Sequence, residues 1–544
     1  MPLSLAKVFA SRSIGDATLI RPPARGPLLA ASRERDSGPI AGAIGLAPEQ
    51  VMQLRMHWSG RARQLFEPGL VAESFACQVP GEAFVNWSEI LQTDRLDAVN
   101  GAFALAWQQD DVLHLVRDAV GERTLFYAQI GQGLIFASTL DLLLAAGLIR
   151  PRLDREVLAR YLSYAYVPGR ESLLEGICEL EPGEWLRFGA GQLHRVRWWQ
   201  PAPEQWEPVS AEASLTKALR ERIEAAVQMR MPAEGPICAS LSGGVDSSLV
   251  VALLRRFYSG ELLTFTVSFG AKYRNELPFG QCVATHCGTR HHVLEAHPKT
   301  VMHHFDETVA LMGNPIGDPL TVPNALIYRE ASRYSGVLFN GEGGDPNFGG
   351  PKNIPMLLAL IYGDPYHARR GESTYLRERT YLRSYRKLYE DLPELLGPIW
   401  SELPPDCLER QLAPWLDPAA GESFVQKLMA LNTHFKGAHH ILFKVNALSR
   451  AFGIQPASPL FDKQVTALAL ATPPQLKLKG TIEKYILKQA VADLLPERIL
   501  HRPKSGMQVP VELWFRPGGP LHREARSRLR RLEAYDCFDP AYLR

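Results

Sequence analysis

Pro236-Ile237-Cys238-Ala239-Ser240-Leu241-Ser242-Gly243-Gly244-Val245-Asp246-Ser247-Ser248 is the stretch that decides how this chain is read. Residues 236–241 are a short apolar run, which predicts a strand, and residues 247–258 carry helical apolar spacing. A Gly-Gly turn between strand and helix is the setting of a phosphate loop. Glycine lets the backbone turn sharply and approach an anion, and the helix start offers unpaired N–H groups. Ser242, Ser247 and Ser248 add hydroxyl donors. Asp246 is the odd member, because a carboxylate repels phosphate. It makes chemical sense as a ligand of Mg²⁺ that in turn binds pyrophosphate oxygens.

Outward from this loop, strands and helices alternate. Residues 262–269, 292–295 and 336–340 read as strands, and residues 278–287 and 325–334 as helices. Such alternation predicts an α/β parallel sheet with helices on both faces. Beyond about residue 355 the chain reads as mainly helical, with proline-marked breaks. Upstream, Gln200-Pro201-Ala202-Pro203-Glu204-Gln205-Trp206-Glu207-Pro208 reads as a linker, since its prolines sustain neither helix nor central strand. Before it, short apolar runs at 103–107, 112–116 and 133–137 are separated by Gln109-Asp110-Asp111 and Gly131-Gln132, which read as hairpin turns. The first half is therefore expected to be β-rich α+β. The expected domains are an N-terminal extension at 1–37, a first domain at 38–200 and a second at 210–530.

A second acidic loop follows the strand at 336–340. Carboxylates at the C-terminal end of a parallel strand face the same crevice as the phosphate loop. Gly341 is expected against the nucleotide, Asp345 as a second Mg²⁺ ligand, and Glu342 as the group that orients or deprotonates an attacking amine. In His501-Arg502-Pro503-Lys504-Ser505-Gly506, proline and glycine fix a lysine that can stabilise charge on a tetrahedral intermediate and on pyrophosphate.

The bulk composition excludes several classes. Sixty Lys and Arg against 58 Asp and Glu leave a net charge of +2, which gives no electrostatic reason to expect nucleic acid or an anionic membrane. Seven scattered cysteines without a C-x-x-C pair read as reduced thiols in a cytoplasmic setting. No apolar run approaches the ~18 residues a membrane span needs.

The phosphate loop lacks the lysine of the Walker A type and matches the S-G-G-x-D-S-S loop of the ATP pyrophosphatases, which make adenylates. With Gly341–Asp345, Ser458-Pro459-Leu460-Phe461-Asp462, Glu483-Lys484-Tyr485-Ile486-Leu487 and Arg502-Pro503-Lys504, it resembles the synthetase domain of the asparagine synthetase family. That family includes β-lactam synthetases and lasso-peptide macrocyclases. The resemblance spans residues 210–520 and implies Asp246 and Asp345 as Mg²⁺ ligands and Glu342 in the amine-activating site. It further implies Lys504 as the transition-state cation, and a nucleotide site lined by residues 241–248 and by Val267 to Phe269.

Residues 96–105 and 116–122 are similar to the same family's Ntn-hydrolase-like type 2 glutaminase domain. That domain begins with a catalytic cysteine. The matching start here is Ala41-Gly42-Ala43-Ile44-Gly45, with alanine at the nucleophile position, and Asn100 stands where the resemblance implies an aspartate for the glutamine amine. A methyl group cannot replace a thiol nucleophile. The first domain is therefore expected to be degenerate, with the amine coming from ammonia, from a separate amine-supplying or carrier protein, or from the substrate itself. The second half departs too. Pro346 replaces an acid, Asn446-Ala447 replaces Asp-Arg, Gln455-Pro456-Ala457 replaces Glu-x-Arg, and Ile441 stands where some relatives carry a second acid, beside His439 and His440. These changes favour a small-molecule or peptide carboxylate other than aspartate. The expected activity is an ATP- and Mg²⁺-dependent amide-bond-forming ligase that works through an acyl-adenylate. Its rivals are asparagine synthesis from aspartate, a tRNA-modifying enzyme with the same loop, and a scaffold without catalysis.

Overall fold

The computed structural model describes residues 38–145, 147–200, 211–273, 275–349, 375–385, 387–417, 424–502 and 508–544. The expected extension at 1–37, all of the expected linker beyond Gln200, and Lys504 lie outside these residues.

Ten strands build the first half: β1 (Ile40–Ile44), β2 (Arg63–Leu65), β3 (Gly69–Gln78), β4 (Asn100–Gln109), β5 (Val112–Arg117), β6 (Phe126–Ile130), β7 (Gly133–Ala137), β8 (Ile177–Glu179), β9 (Glu184–Gly189) and β10 (Gln192–Arg197). They form two five-stranded sheets, in the orders β2-β1-β7-β6-β8 and β10-β9-β5-β4-β3. Side chains alternate across a strand, so each sheet has two faces to bury. Ile40, Leu134 and Phe136 of the first sheet meet Ala104, Ala106, Leu113, Leu115 and Leu186 of the second in one core. Ala41, Ala43, Ile135 and Ala137 point the other way, into a core shared with the second half of the chain. Both expected hairpin turns form. Gln109 pairs with Val112 around Asp110 (φ 51°), and Ile130 pairs with Gly133 around Gly131 (φ 58°).

In the second half, β11 (Ile237–Ser240), β12 (Leu262–Ser268), β13 (Arg290–Glu295), β14 (Val337–Phe339) and β15 (Gln455–Ala457) form an all-parallel sheet in the order β13-β12-β11-β14-β15. Both faces are buried, as a parallel sheet requires. Ile237, Ala239, Val337 and Phe339 face one core, while Cys238, Leu263, Phe265 and Leu338 face the other. Helix α1 (Arg155–Tyr164) belongs to the first half. Helices α2 (Glu212–Gln228), α3 (Val245–Phe257), α4 (Leu277–Cys287), α5 (Thr321–Ala331) and α6 (Phe443–Phe452) belong to the second. Two expectations shift. α5 begins four residues before the expected start at 325, because Pro323 sits in the first turn, where a backbone N–H is not needed. The strand β15 lies in a region read as helical. Three residues around a proline carry no strand signal, and Pro456 is tolerated because β15 is an edge strand. No described helix is long and apolar enough to cross a membrane.

A buried ionic hub fastens the halves together. The Arg230 guanidinium donates to Glu122 at 2.8 Å and to Asp462 at 2.9 Å, and Asp462 also accepts from the Asn100 amide at 3.0 Å. The Asn100 side chain thus serves the junction, not an amine ligand. The altered positions Asn446 and Gln455 lie on the same junction. Gln455 accepts from Arg123 at 2.9 Å, and Asn446 donates to the Glu122 carbonyl. Removing one partner of such a buried pair strands a charge and costs about 3–5 kcal/mol. Arg230→Ala is expected to lower stability by that order, read as a drop in Tm or in the denaturant midpoint.

Candidate active site

The phosphate loop forms as its sequence implies. Gly243 adopts φ 75°, and an added Cβ there would lie 2.4 Å from the Gly280 nitrogen. Gly244 caps α3, whose first turn holds Val245, Asp246 and Ser247. The serine hydroxyls close on one another, with Ser242 Oγ 3.1 Å from Ser247 Oγ, and Gly244 N–H donating to Ser242 Oγ at 3.3 Å. Arg502 braces the loop from outside. It donates to the Gly243 carbonyl at 2.9 Å, pairs with Glu276, and lies 3.9 Å over the Phe279 ring.

Because β11 and β14 are hydrogen-bonded neighbours, the loops that follow them meet. A Cβ on Gly341 would lie 2.4 Å from the Ser247 nitrogen, and one on Gly344 2.2 Å from Asp246 Oδ1. Glycine is therefore required at both points. The contact brings the Asp246 and Asp345 carboxylates onto one buried ammonium. Lys484 Nζ lies 2.5 Å from Asp246 Oδ2 and pairs with Asp345 as well. Lys484 has φ 54°, and its side chain is only 3% exposed. The sequence assigns no role to Lys484, which lies in Glu483–Leu487. Its signal was present: a lysine in a segment that matched alongside the two acidic loops.

These groups line a cavity of about 470 Å³. Leu241, Ser242, Gly244, Val245, Asp246, Ser247, Gly341, Glu342 and Asp345 all reach it. Ser248 is buried beneath the loop, and Val267 is packed in the core. Basic groups gather at the same cavity, with Lys387, Lys436, Lys444, Lys488 and Arg502 lining it along with Lys484. The first half contributes a wall. Tyr164, Ala165 and Tyr166 at the end of α1 line the cavity, and the Ala165 carbonyl accepts from Gly317 N–H at 2.6 Å.

The structure separates the two adjacent histidines. His440 lines the cavity, stacked on Tyr166 at 5.0 Å between ring centres, with Nε2 3.3 Å from Asp318 Oδ2. Lys444 Nζ lies 2.6 Å from the same carboxylate oxygen. Burial would raise the Asp318 pKa, but Lys444 and His440 outweigh it and hold the carboxyl well below its usual range. Burial lowers the His440 pKa to about 4, so its imidazole is neutral at pH 7. His439 instead turns away, toward Glu179. Glu342 and the Asp318–His440 pair are among the proton acceptors that line the cavity.

In the first half, Ala41 is completely buried in mid-strand. Cys77 and Cys178 are the two thiols of residues 1–200. Burial raises both, Cys77 to about 12, so neither is an activated nucleophile.

Comparisons with known proteins agree on one family. Residues 218–544 match the family described as asparagine synthase, and residues 71–199 match the glutamine amidotransferase domain, a match that starts downstream of Ala41. Asparagine synthetase [glutamine-hydrolyzing] 1 of Bacillus subtilis is 26% identical over 77% of this chain and 69% of its own length. A putative asparagine synthetase [glutamine-hydrolyzing] of Mycobacterium tuberculosis is 30% identical over 82% of this chain and 72% of its own. Amidase chry2 of Gibberella zeae is 22% identical over 78% of this chain and 71% of its own.

Two outcomes follow from the geometry. Gly344→Ala forces a methyl group into Asp246, and overpacking of this kind costs about 1–3 kcal/mol in a melting experiment. The folded His440 pKa of about 4 lies below the ordinary 6.5. Its contribution to stability is complete above pH 6.5 and is lost as the pH falls toward 4, because only the unfolded chain takes up the proton there. His440→Gln is expected to flatten stability against pH across that window.

Proposed function

The chain belongs to the asparagine synthase family and is a ligase of that type, and from this premise we propose that it activates a carboxylate with ATP and joins it to an amine. In this reading residues 38–200 form an amidotransferase-like module that has lost its nucleophile, and residues 210–530 form the synthetase module. The substrate carboxylate attacks the α-phosphorus of ATP, pyrophosphate leaves, and an amine attacks the acyl-adenylate with release of AMP. The observation that carries the proposal is the meeting of Asp246, Asp345 and Lys484 at a cavity that Glu342 and His440 also line.

The donor set fits Mg²⁺, which takes oxygen ligands: two carboxylates already converge on one positive charge. When bound, Mg²⁺ would supply charge neutralisation for the pyrophosphate oxygens, held by Asp246 and Asp345. The backbone of Gly244–Ser247 and the hydroxyls of Ser242 and Ser247 bind the polyphosphate, with Lys484 and Lys488 stabilising the negative charge that builds on it. Lys504 is the second cation of this proposal, by resemblance alone. Glu342 accepts the proton of the attacking amine. Neutral His440, oriented by Asp318, is the second acceptor and takes the role of the acid that Ile441 lacks. Tyr164 and Tyr166 wall the acyl pocket with aromatic rings, and burial leaves the Cys77 and Cys178 thiols of the first half unactivated for releasing ammonia from glutamine. The substrate is accordingly a specialised small molecule or peptide, with the amine drawn from ammonia, a partner protein or the substrate.

The test is pyrophosphate release from MgATP by the purified chain, with a library of carboxylates and peptides, aspartate plus ammonium, and aspartate plus glutamine. One carboxylate is expected to stimulate release. Asp246→Ala is expected to abolish it, and Lys484→Ala to lower kcat roughly 10²- to 10³-fold, the scale of one lost transition-state donor. Stimulation by aspartate with ammonium would identify asparagine synthesis instead. Stimulation by glutamine in place of ammonium would overturn the loss of the first module's activity. No release and no ATP binding would leave only a scaffold.

A further inference from the structure

Away from the cavity, Glu181, His434 and His439 gather at the junction of the two halves. Among the described residues they are the one group of three whose side chains can converge on a metal ion, with all donor atoms within 4.8 Å of one another. Glu181 follows β8 in the first half. His434 and His439 lie on the π-helical segment Asn432–Leu442 of the second. A π turn hydrogen-bonds i to i+5, so residues five apart come onto one face, which an α-helix does not achieve. His434 Nε2 contacts Glu181 Oε2, and His439 Nε2 lies 4.0 Å from the same oxygen. A tetrahedral ion with bonds of about 2.0–2.1 Å sets its ligand atoms roughly 3.3 Å apart, so sub-ångström to ångström movements complete the site.

A second observation points to a ligand. His439 is 3% exposed, and its Nε2 is buried without a hydrogen-bond partner. Its Nδ1 lies 3.2 Å from Glu179 Oε2, and Glu179 is itself held by Arg117 at 2.9 Å. A carboxylate on Nδ1 fixes the tautomer that leaves the Nε2 lone pair facing Glu181, the arrangement that supports histidine ligands of metals. Trp415 covers His434, with ring centres 4.5 Å apart. Burial also lowers the His434 pKa and favours the neutral, ligating imidazole.

We propose that Glu181, His434 and His439 bind one divalent transition-metal ion of the zinc class, which ties the amidotransferase-like half to the helical segment that carries His440. Two imidazoles and one carboxylate suit Zn²⁺ and leave its fourth position to water. On binding, the ion takes the place of the hydrogen bond between His434 Nε2 and Glu181, and the neutral His434 ring carries its proton on Nδ1.

The test uses the full chain stripped with a chelator and then titrated with Zn²⁺ against a colorimetric competitor, and separately with Co²⁺. One equivalent of Zn²⁺ is expected, together with the visible absorption of tetrahedral Co²⁺ and a rise in Tm. His439→Gln is expected to abolish the equivalent, and Glu179→Gln to weaken it roughly 10- to 100-fold, both with wild-type circular dichroism in chelator. No stoichiometric Zn²⁺ in the wild-type chain overturns the proposal, as does binding that His439→Gln leaves unchanged. If His439→Gln does not fold, the wild-type Co²⁺ spectrum decides: absence of tetrahedral bands sinks the site.

Discussion

The hydrogen-bonded pairing of β11 with β14 is the constraint on which the site rests. Two parallel neighbours end on the same edge of the sheet, so whatever follows each strand shares one crevice. Here a Gly-Ser loop follows one and a Gly-rich acidic loop the other. Their backbones approach until Gly341 and Gly344 have no room for a methyl group against residues 246–247. That contact sets the separation of the Asp246 and Asp345 carboxylates, and Lys484 enters between them from a segment 139 positions beyond Asp345. The helical C-terminal region is thereby anchored to the sheet through the site itself.

The second half was legible because its signals are local. Apolar runs of strand length alternate with helical periodicity, and the loop at 242–248 sits at one such junction. The hairpins at Asp110 and Gly131 were legible for the same reason. The strand β15 was not, because its three residues acquire strand character only by pairing with β14. Lys484 escaped a role because its significance lies in the distance to residues far away in sequence. Of the two histidines at 439–440, only the local π-helical winding decides which one faces the cavity, and periodicity cannot reveal that.

The altered motif positions acquire meaning once the halves are seen together. Asn446, Gln455 and Asn100 all lie on the junction with the loop at 117–124, or beside its Arg230 hub. Substitutions that look like losses from a catalytic pattern are here polar contacts of an internal interface. Buried charges such as Arg230, Glu122 and Asp462 add specificity of docking, since each satisfies the others and none tolerates a shifted register.

The short segment Tyr164–Ala165–Tyr166 has one more consequence. It makes the cavity a composite, with one wall supplied by a half whose two thiols are buried and unactivated. Excising that half would open the chamber to solvent and leave His440 without its aromatic lid. Exchanging it between relatives would exchange that wall of the cavity along with it. Substitutions at the end of α1 therefore reshape this cavity without touching Asp246, Asp345 or Lys484.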